Sequence, residues 1–573
     1  MPIRPSLGTA PFVLLVVAAA CGSSRSNSGF NPGGGGGDDG GGGGDAAASD
    51  DGGGDDGGSD TGSIIGSNII LSPGNATVFI DTATSPATRA KQTYKATFGV
   101  QDVTSTLSLS LQNSAVGTFA GQTFTSAGAI PGGALGVTSL VTGTSQGHSG
   151  LANLTVVALR VTGTDRDFYF IEPYKMAPSP ANNTLAFGTK LTQVDVAILL
   201  DTTGSMAASI ANVQQNLTKP GGILSGLQAA IPNVGIAVVD HRDYPYGGYG
   251  SPGDWPVKVW QVVTTSAATA QAGVNNYSLG NGNDDPEAQI PAMDYLLTGN
   301  ALTWPGGSVP AHIPSGGFAG GVDFRPGSFR VVVQITDAPW HNYDGAPADP
   351  LSTPYSFPAP DYNQLVTDFN AANAKYVGVV DDHSNDTHPH VESQALSDAT
   401  ASNVPPAAFP GGTCNPQAGA APNGNCRLNF DILNGAGLDT SVVQAIQAIS
   451  IGATYDVTAI PANDPTNAGG VDATKFIKEL RAMGEGDPTN NCPMWATKKS
   501  VPTLSYDDVF VAVTAGTKVC FEVIPAVNTT VPPKTSAQFF KAFINVVGLP
   551  GNTPLDQRSV LFLVPPVNVS GNQ

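Results

Sequence analysis

One stretch limits what this chain can fold into more than any other. In Val194-Asp-Val-Ala-Ile-Leu-Leu-Asp-Thr-Thr-Gly-Ser-Met206 an apolar run ends in a cluster of oxygen-bearing side chains. Val194 to Leu200 has the length and apolarity of a strand buried on both faces, as in the middle of a parallel sheet. Asp201, Thr203 and Ser205 then fall in the turn where that strand ends. In an open α/β sheet, ligands bind in the crevice at the carboxyl ends of the strands, so a site is expected here. A carboxylate and two hydroxyls suit a hard cation of the magnesium type. Local chemistry alone equally allows a polar turn in which Thr203 or Ser205 caps the next helix.

Two further stretches bear on that choice. Phe329-Arg-Val-Val-Val-Gln-Ile-Thr-Asp-Ala-Pro-Trp-His341 reads as a second buried strand with Asp337 at its carboxyl end. If the two strands are parallel neighbours, Asp201 and Asp337 approach each other, and like carboxylates at close range are costly unless a cation or proton intervenes. Between them, Gly280-Asn-Gly-Asn-Asp-Asp-Pro-Glu-Ala288 is a loop running into the helical pattern of Ala288 to Leu297, and Glu287 adds a third carboxylate.

These motifs resemble the von Willebrand factor A domain, and in detail the I-like domain of integrin β subunits. The likeness is carried by Asp-Thr-Thr-Gly-Ser-Met at 201–206, Asp-Asp-Pro-Glu-Ala at 284–288 and Ile-Thr-Asp-Ala at 335–338, in that order. The resemblance implies a doubly wound, Rossmann-like α/β domain over 191–484. It implies one divalent cation, magnesium or in its place manganese or calcium, with a coordination position left for an acidic group of a partner. Carried over residue by residue, Thr203, Ser205 and Glu287 ligate the metal, and Asp201 and Asp337 act through waters. Integrin β domains have acidic residues for an adjacent metal site where Ala207, Ala208 and Ser209 stand here, so that neighbour is not expected. A further integrin site uses Asn-x-Asp-x-Pro-Glu. Asp284 and Pro286 match it, Gly282 stands in the asparagine's place, and that site is left open.

The chain of 573 residues is long enough for several cores, about three or four units by ordinary domain sizes. A net charge of -20, from 45 acidic against 25 basic residues, argues against a nucleic-acid partner, which needs basic patches. Only 12% of residues are charged while glycine reaches 70 and proline 45, a balance that favours β-rich exported modules over long helical assemblies. Phe12-Val-Leu-Leu-Val-Val-Ala-Ala-Ala20 is apolar but short for a bilayer span, so residues 1–21 read as a signal peptide. Cys21 follows at once, and Ala-Ala-Cys-Gly resembles the end of a bacterial lipoprotein signal, in which the cysteine becomes the lipidated amino terminus. Ala18 replaces the leucine usual in that motif, and the competing reading is ordinary secretion with cleavage among the alanines. The expectation is an exported protein, lipid-anchored at the bacterial outer membrane or cell surface and touching the membrane by that anchor only. Residues 22–63, rich in Gly, Asp and Ser, cannot bury a core. As a coil they span roughly 35 Å root-mean-square and act as a tether.

Residues 64–167 alternate β-type runs such as Ala76–Ile80, Thr93–Phe98, Thr106–Leu111 and Leu154–Val161 with turn residues, the spacing of a β-sandwich vaguely similar to bacterial Ig-like modules. Residues 168–190 hold an isolated strand-like piece, Phe168–Tyr174, and a linker. Because the I-like domain interrupts a sandwich in integrin β subunits, this piece is expected to pair with Val560–Val564. Within 191–484, Val234–Val239, Val257–Val263, Tyr376–Val380 and Tyr455–Ile460 read as strands. Asp361–Lys375 and Val471–Met483 read as helices, the second as the last helix of the resembled domain. Residues 491–573 read as a second sandwich.

Two loops are expected to rim the metal face. One, Asp240 to Trp255, brings Arg242, Tyr244 and Tyr246; the other, after Asp337, brings Trp340 and His341. Aromatics in such loops suit partner recognition, and equally serve to pin chains rich in proline and glycine. His383, His388 and His390 lie among aspartates in one local stretch that offers zinc donors but reads better as a solvated loop. Beyond Cys21, four cysteines fall two by two, Cys414 with Cys426 and Cys492 with Cys520, and in an oxidising compartment such pairs are disulfides. The function expected is adhesion: a surface-anchored protein binding a protein or polysaccharide with an acidic group, rather than an exported metal-dependent hydrolase or a structural envelope component with a vestigial site. No Gly-x-Ser-x-Gly elbow surrounds Ser205, which weighs against the hydrolase.

Overall fold

The computed structural model describes residues 68–163, 166–382, 387–415 and 418–569. The signal peptide, Cys21, the tether and His383 lie outside the described residues. The described residues divide between two units, 68–177 with Val527–Phe539 and 562–569, and Pro178–Ala526 with Phe540–Leu561.

In the first unit the described residues are β throughout apart from short turns of 3-10 helix. His148–Leu159 lies between Gly136–Ser145, to which it is antiparallel, and Asn75–Asp81, to which it is parallel, with Ser108–Leu111 at the far edge. Two three-stranded sheets complete it, Ile70–Ser72 with Lys95–Phe98 and Gln101–Asp102, and Lys91–Thr93 with Thr123–Ser126 and Gly117–Ala120. Their inward positions, among them Leu71, Val78, Ile80, Tyr94, Phe124, Val141, Leu154 and Val156, form one core. Phe168–Ile171 neighbours Thr553–Val564, as the sequence led us to expect. There the Glu172 backbone N–H donates to the Leu563 carbonyl at 2.7 Å, and the Phe170 and Phe562 rings stack 5.8 Å apart.

Glu172 is fully buried, and its carboxyl oxygens meet no hydrogen-bond partner among the described residues. Burial pushes this carboxyl up to about 8. The folded form therefore holds a proton that the unfolded chain releases near its ordinary value of 4.5. Stability from this group is full below that value and is lost as pH rises toward 8. Glu172→Gln is expected to flatten the melting temperature of this unit between pH 5 and pH 8, read by calorimetry; an unchanged pH slope would show the carboxyl to be ionised in the fold.

The second unit contains a six-stranded sheet, whose strands are β1 (Gln193–Asp201), β2 (Asn233–His241), β3 (Lys258–Thr264), β4 (Phe329–Thr336), β5 (Ala374–Asp381) and β6 (Asn429–Ile432). Their order across the sheet is β3-β2-β1-β4-β5-β6, and every pairing is parallel except β2 with β3. The helices are α1 (Ala207–Asn216), α2 (Ile223–Ala230), α3 (Ala267–Val274), α4 (Gln289–Thr298), α5 (Tyr362–Ala372), α6 (His388–Ala399) and α7 (Leu438–Gly452). One face of the sheet, with Ala197, Leu199, Ala237, Val239, Val332 and Tyr376, packs on Ile290, Met293 and Leu296 of α4, Leu365 and Phe369 of α5, and Leu396 of α6. Side chains alternate along a strand, so the equally buried Val196, Ile198, Leu200 and Val238 face the other way. On that side the α3 backbone at Gly273 comes up against Val238, and α2 at Gly226 against Val443 of α7. Burial on both faces is why β1 is apolar at nearly every position.

The remainder of this unit is antiparallel. Thr454–Asn463, expected within the α/β domain, pairs instead with Val509–Thr514 and Gln538–Leu549. Val471–Met483, expected as a helix, is a 3-10 turn at Ala473–Phe476 followed by a strand at Ile477–Ala482. Its apolar spacing fits a short helix or a strand, and the ladder to Val519–Pro525 decides. Asn183–Phe187 lies on the other side of Val519–Pro525. Both disulfides form as expected, Cys414–Cys426 and Cys492–Cys520, as suits an extracellular protein. Among the described residues no helix is long and apolar enough to cross a membrane. Replacing Cys492 and Cys520 by alanine is expected to cost about 3 kcal/mol, mostly through the less constrained unfolded chain. A denaturant midpoint unmoved by the double substitution would mean that this crosslink does not form in the protein.

Candidate metal centre

The chain runs outward from β1 through β2 to β3 on one side, then from β4 through β5 to β6 on the other. The connections part between β1 and β4, where Leu200 stands opposite Ile335, and in open α/β sheets ligands bind at the carboxyl ends of such a strand pair. Asp201 closes β1 and is fully buried there. One carboxylate oxygen accepts from the Thr203 N–H at 2.9 Å and the Thr203 hydroxyl at 2.7 Å, and the other accepts from the Thr336 hydroxyl at 2.8 Å. Thr203 thus gives its hydroxyl to Asp201 and does not cap the following turn, Gly204–Met206. Burial pushes the Asp201 carboxyl above its usual range, against the opposing pull of these hydrogen bonds and of Arg242.

Glu287 comes from the loop before α4. Its N–H donates to the Pro339 carbonyl at 3.0 Å and its carbonyl accepts from the His341 N–H at 3.1 Å, which ties this loop to the segment after β4. The side chain is buried, and its Oε2 has no hydrogen-bond partner among the described residues. Its Oε1 fills the space beside Gly282, where an added Cβ would stand 2.8 Å from that oxygen and 3.5 Å from Thr203 Cγ2. Burial raises this carboxyl well above the usual carboxylate range, and the charges of Asp201, Asp243, Asp284 and Asp254 raise it further. Buried carboxylates that oppose one another's ionisation, a neighbouring hydroxyl and an orphaned oxygen together fit a divalent cation. Asp201, Thr203 and Glu287 lie along this edge. Ser205 is exposed on the next turn, and Asp337, largely buried, follows Thr336, where its charge acts on His241.

Of the residues expected at a recognition rim, Tyr246 alone is exposed, while Arg242, Tyr244, Trp340 and His341 are buried. The Arg242 guanidinium lies 3.9 Å over the Trp255 ring and donates to Thr202, Asp254 and the Ser278 carbonyl. Tyr244 meets Trp304, Tyr355 and Phe357 edge-on. The Trp340 N–H donates to Glu392 at 2.8 Å. These side chains pin loops rich in proline and glycine and leave little for a partner to touch. His388 begins α6 and pairs with Asp349 at 2.6 Å, whereas His390 pairs with Asp431 at 3.0 Å, so the two histidines serve different carboxylates.

A second cluster gathers at Asp284, where the sequence left a further site open, and sequence reasoning missed Asp243 and His341 as its other members. Asp243, Asp284 and His341 each offer a ligand atom, and these atoms lie within 4.8 Å of one another. Burial lifts Asp243 to about 6 despite His341 beside it. Burial depresses His341, but the adjoining carboxylates of Asp243 and Asp284 outweigh it and bring the imidazole up to about 9. The signal in the sequence was faint, since Asp243 shares its loop with Asp240 and Asp254.

No family model matches this chain, and no curated protein matches it. Among solved structures it is similar to a von Willebrand factor type A protein from Catenulispora acidiphila, with 11% identity over 82% of this chain and 76% of that one and a TM-score of 0.25. Proximal thread matrix protein 1 of the mussel byssus is 10% identical over 48% of this chain and 50% of its own, with a TM-score of 0.25. The pilus adhesin SpaC from Lactobacillus rhamnosus GG is 10% identical over 69% of this chain and 54% of its own, with a TM-score of 0.26. These likenesses are distant, and the centre stands on its own residues.

Gly282 has a φ of +61°, so alanine there combines left-handed backbone strain of about 1 kcal/mol with a collision against Glu287. Gly282→Ala is expected to weaken magnesium or manganese binding at least tenfold in titration calorimetry while the far-ultraviolet dichroism stays that of the wild type. Wild-type affinity in this variant would place the cation away from Glu287.

Proposed function

We propose that this protein is a surface-anchored adhesion or binding protein, and that its α/β part is a doubly wound von Willebrand factor A domain flanked by Ig-like β-sandwiches. The observation that carries the reading is the buried, unpartnered Glu287 oxygen in a loop joined to the β4 end, among carboxylates that include Asp201 at the end of β1. One magnesium ion, or manganese or calcium in its place, would be held by Thr203, Ser205 and Glu287, with Asp201 and Asp337 acting through water. The cation would supply a positive charge that draws a carboxylate. Thr203 and Glu287 would hold that position from beneath, and Ser205, which is exposed, would face its open side. An acidic group of a protein or polysaccharide would take the remaining coordination position. Cys21 would carry the lipid anchor, which places the protein at a bacterial outer membrane or cell surface. The hydrolase reading is weaker, because His388 and His390 pair with separate carboxylates.

The test is binding of the purified chain to immobilised acidic peptides and acidic polysaccharides, beside their amidated counterparts. Capture is expected in magnesium, reversed by chelator, absent for the amidated ligands and lost in Asp201→Ala. That variant removes a charge without disturbing β1 and is expected to fold, with a melting temperature no longer raised by magnesium. Metal-independent capture, or an Asp201→Ala chain that binds as the wild type does, would remove the mechanism.

A further inference from the structure

We propose that the antiparallel part of the second unit carries a binding pocket for a neutral saccharide, which shares no residue with the Asp201 centre. Three stretches, 481–485, 495–499 and 505–507, meet around a cavity of about 400 Å³, within the size range in which proteins hold small ligands. Two aromatic rings, Trp495 and Tyr506, line it together with the cations Arg481 and Lys499 and the carboxylates Glu485 and Asp507. Such a wall is neither an apolar groove nor a patch of one charge.

The wall is already set. The Met483 N–H donates to the Cys520 carbonyl at 3.0 Å, and Cys520 is bonded to Cys492, so the first two stretches share one anchor. The Trp495 N–H donates to the Gly484 carbonyl at 2.9 Å and its indole Nε1 to the Val511 carbonyl at 2.7 Å, which fixes the ring by one edge. The Tyr506 N–H donates to Glu479 at 2.9 Å, and the Arg481 guanidinium lies 5.1 Å over the tyrosine ring. Tyr506 is nevertheless 43% exposed, so the ring keeps surface for a ligand. The Thr497 hydroxyl donates to Asp507 Oδ2 at 2.8 Å, which leaves Oδ1 to accept from a ligand hydroxyl. Side chains fixed in this way lose little freedom when something binds.

The charges weigh against an anionic ligand. Arg481 is committed to Glu485 at 2.6 Å and to Glu522 at 3.3 Å, and Lys499 donates to the Leu504 carbonyl at 2.9 Å. A phosphate or a uronate entering here would meet these carboxylates and Asp507 with no uncommitted guanidinium to offset them. What the cavity offers is hydrogen-bond donors and acceptors set beside aromatic surface. A pyranose is the matching chemistry, because its C–H face packs on a ring while its hydroxyls both donate and accept.

The experiment uses the full chain in excess chelator, so that failure of the proposed cation centre does not affect the outcome. The probes are neutral oligosaccharides of glucose, mannose and N-acetylglucosamine, with oligogalacturonate as the anionic control, read by titration calorimetry. At least one neutral probe is expected to bind with a Kd of about 1 mM or tighter, and the control is expected not to bind. Tyr506→Ala is expected to weaken that binding about tenfold or more, whereas Tyr506→Phe keeps it, because the ring supplies the contact. Tyr506 is exposed, so both variants are expected to melt as the parent does. The proposal falls if no neutral probe binds, if oligogalacturonate binds as tightly as the best of them, or if Tyr506→Ala binds as its parent does.

Discussion

Carboxylates forced together out of water are the constraint on which the second unit turns. Asp201 is fixed at the end of β1 by hydrogen bonds from Thr203 and Thr336, and Glu287 reaches the same edge from a different loop. Neither group can retreat to solvent. Such a cluster raises the free energy of the folded chain unless something positive enters, and it makes the loops around it dependent on that entry. The strands bear this because they are held elsewhere. Asp195, at the other end of β1, accepts from the Arg325 guanidinium at 2.6 Å, and the apolar side chains on both faces hold the sheet independently of its polar edge.

Much of this arrangement was legible in the sequence. The runs at Val194–Leu200, Val234–Val239, Phe329–Thr336 and Tyr376–Val380 are strands of one sheet because contiguous apolar residues of that length have few other fates. The order of the motifs then put Asp201 and Asp337 at adjacent strand ends. Other features depended on partners distant in the chain. Ala473, Phe476 and Leu480 satisfy a helical period, and only the presence of Val519–Pro525 makes a strand of Ile477–Ala482. Tyr244, Trp340 and His341 sit in loops whose composition suggests exposure. For Tyr244 and His341, burial follows from a nest of rings in which Tyr244 meets Tyr355, more than a hundred residues away, and no local pattern encodes that. The same distance hid the cluster of Asp243, Asp284 and His341.

That nest has a consequence for how the molecule meets anything arriving at its carboxyl edge. Tyr244 and Tyr249 of the loop between β2 and β3 meet His341, Tyr355 and Phe357 of the loop between β4 and α5 through ring contacts at centroid distances of 4.4 to 6.1 Å. Loops locked to one another in this way move as a single body rather than as independent flaps. A newcomer then finds a surface whose shape is already set, and association need not quench loop motion first. Recognition by such a surface would be selective in shape and indifferent to the flexibility of its own walls.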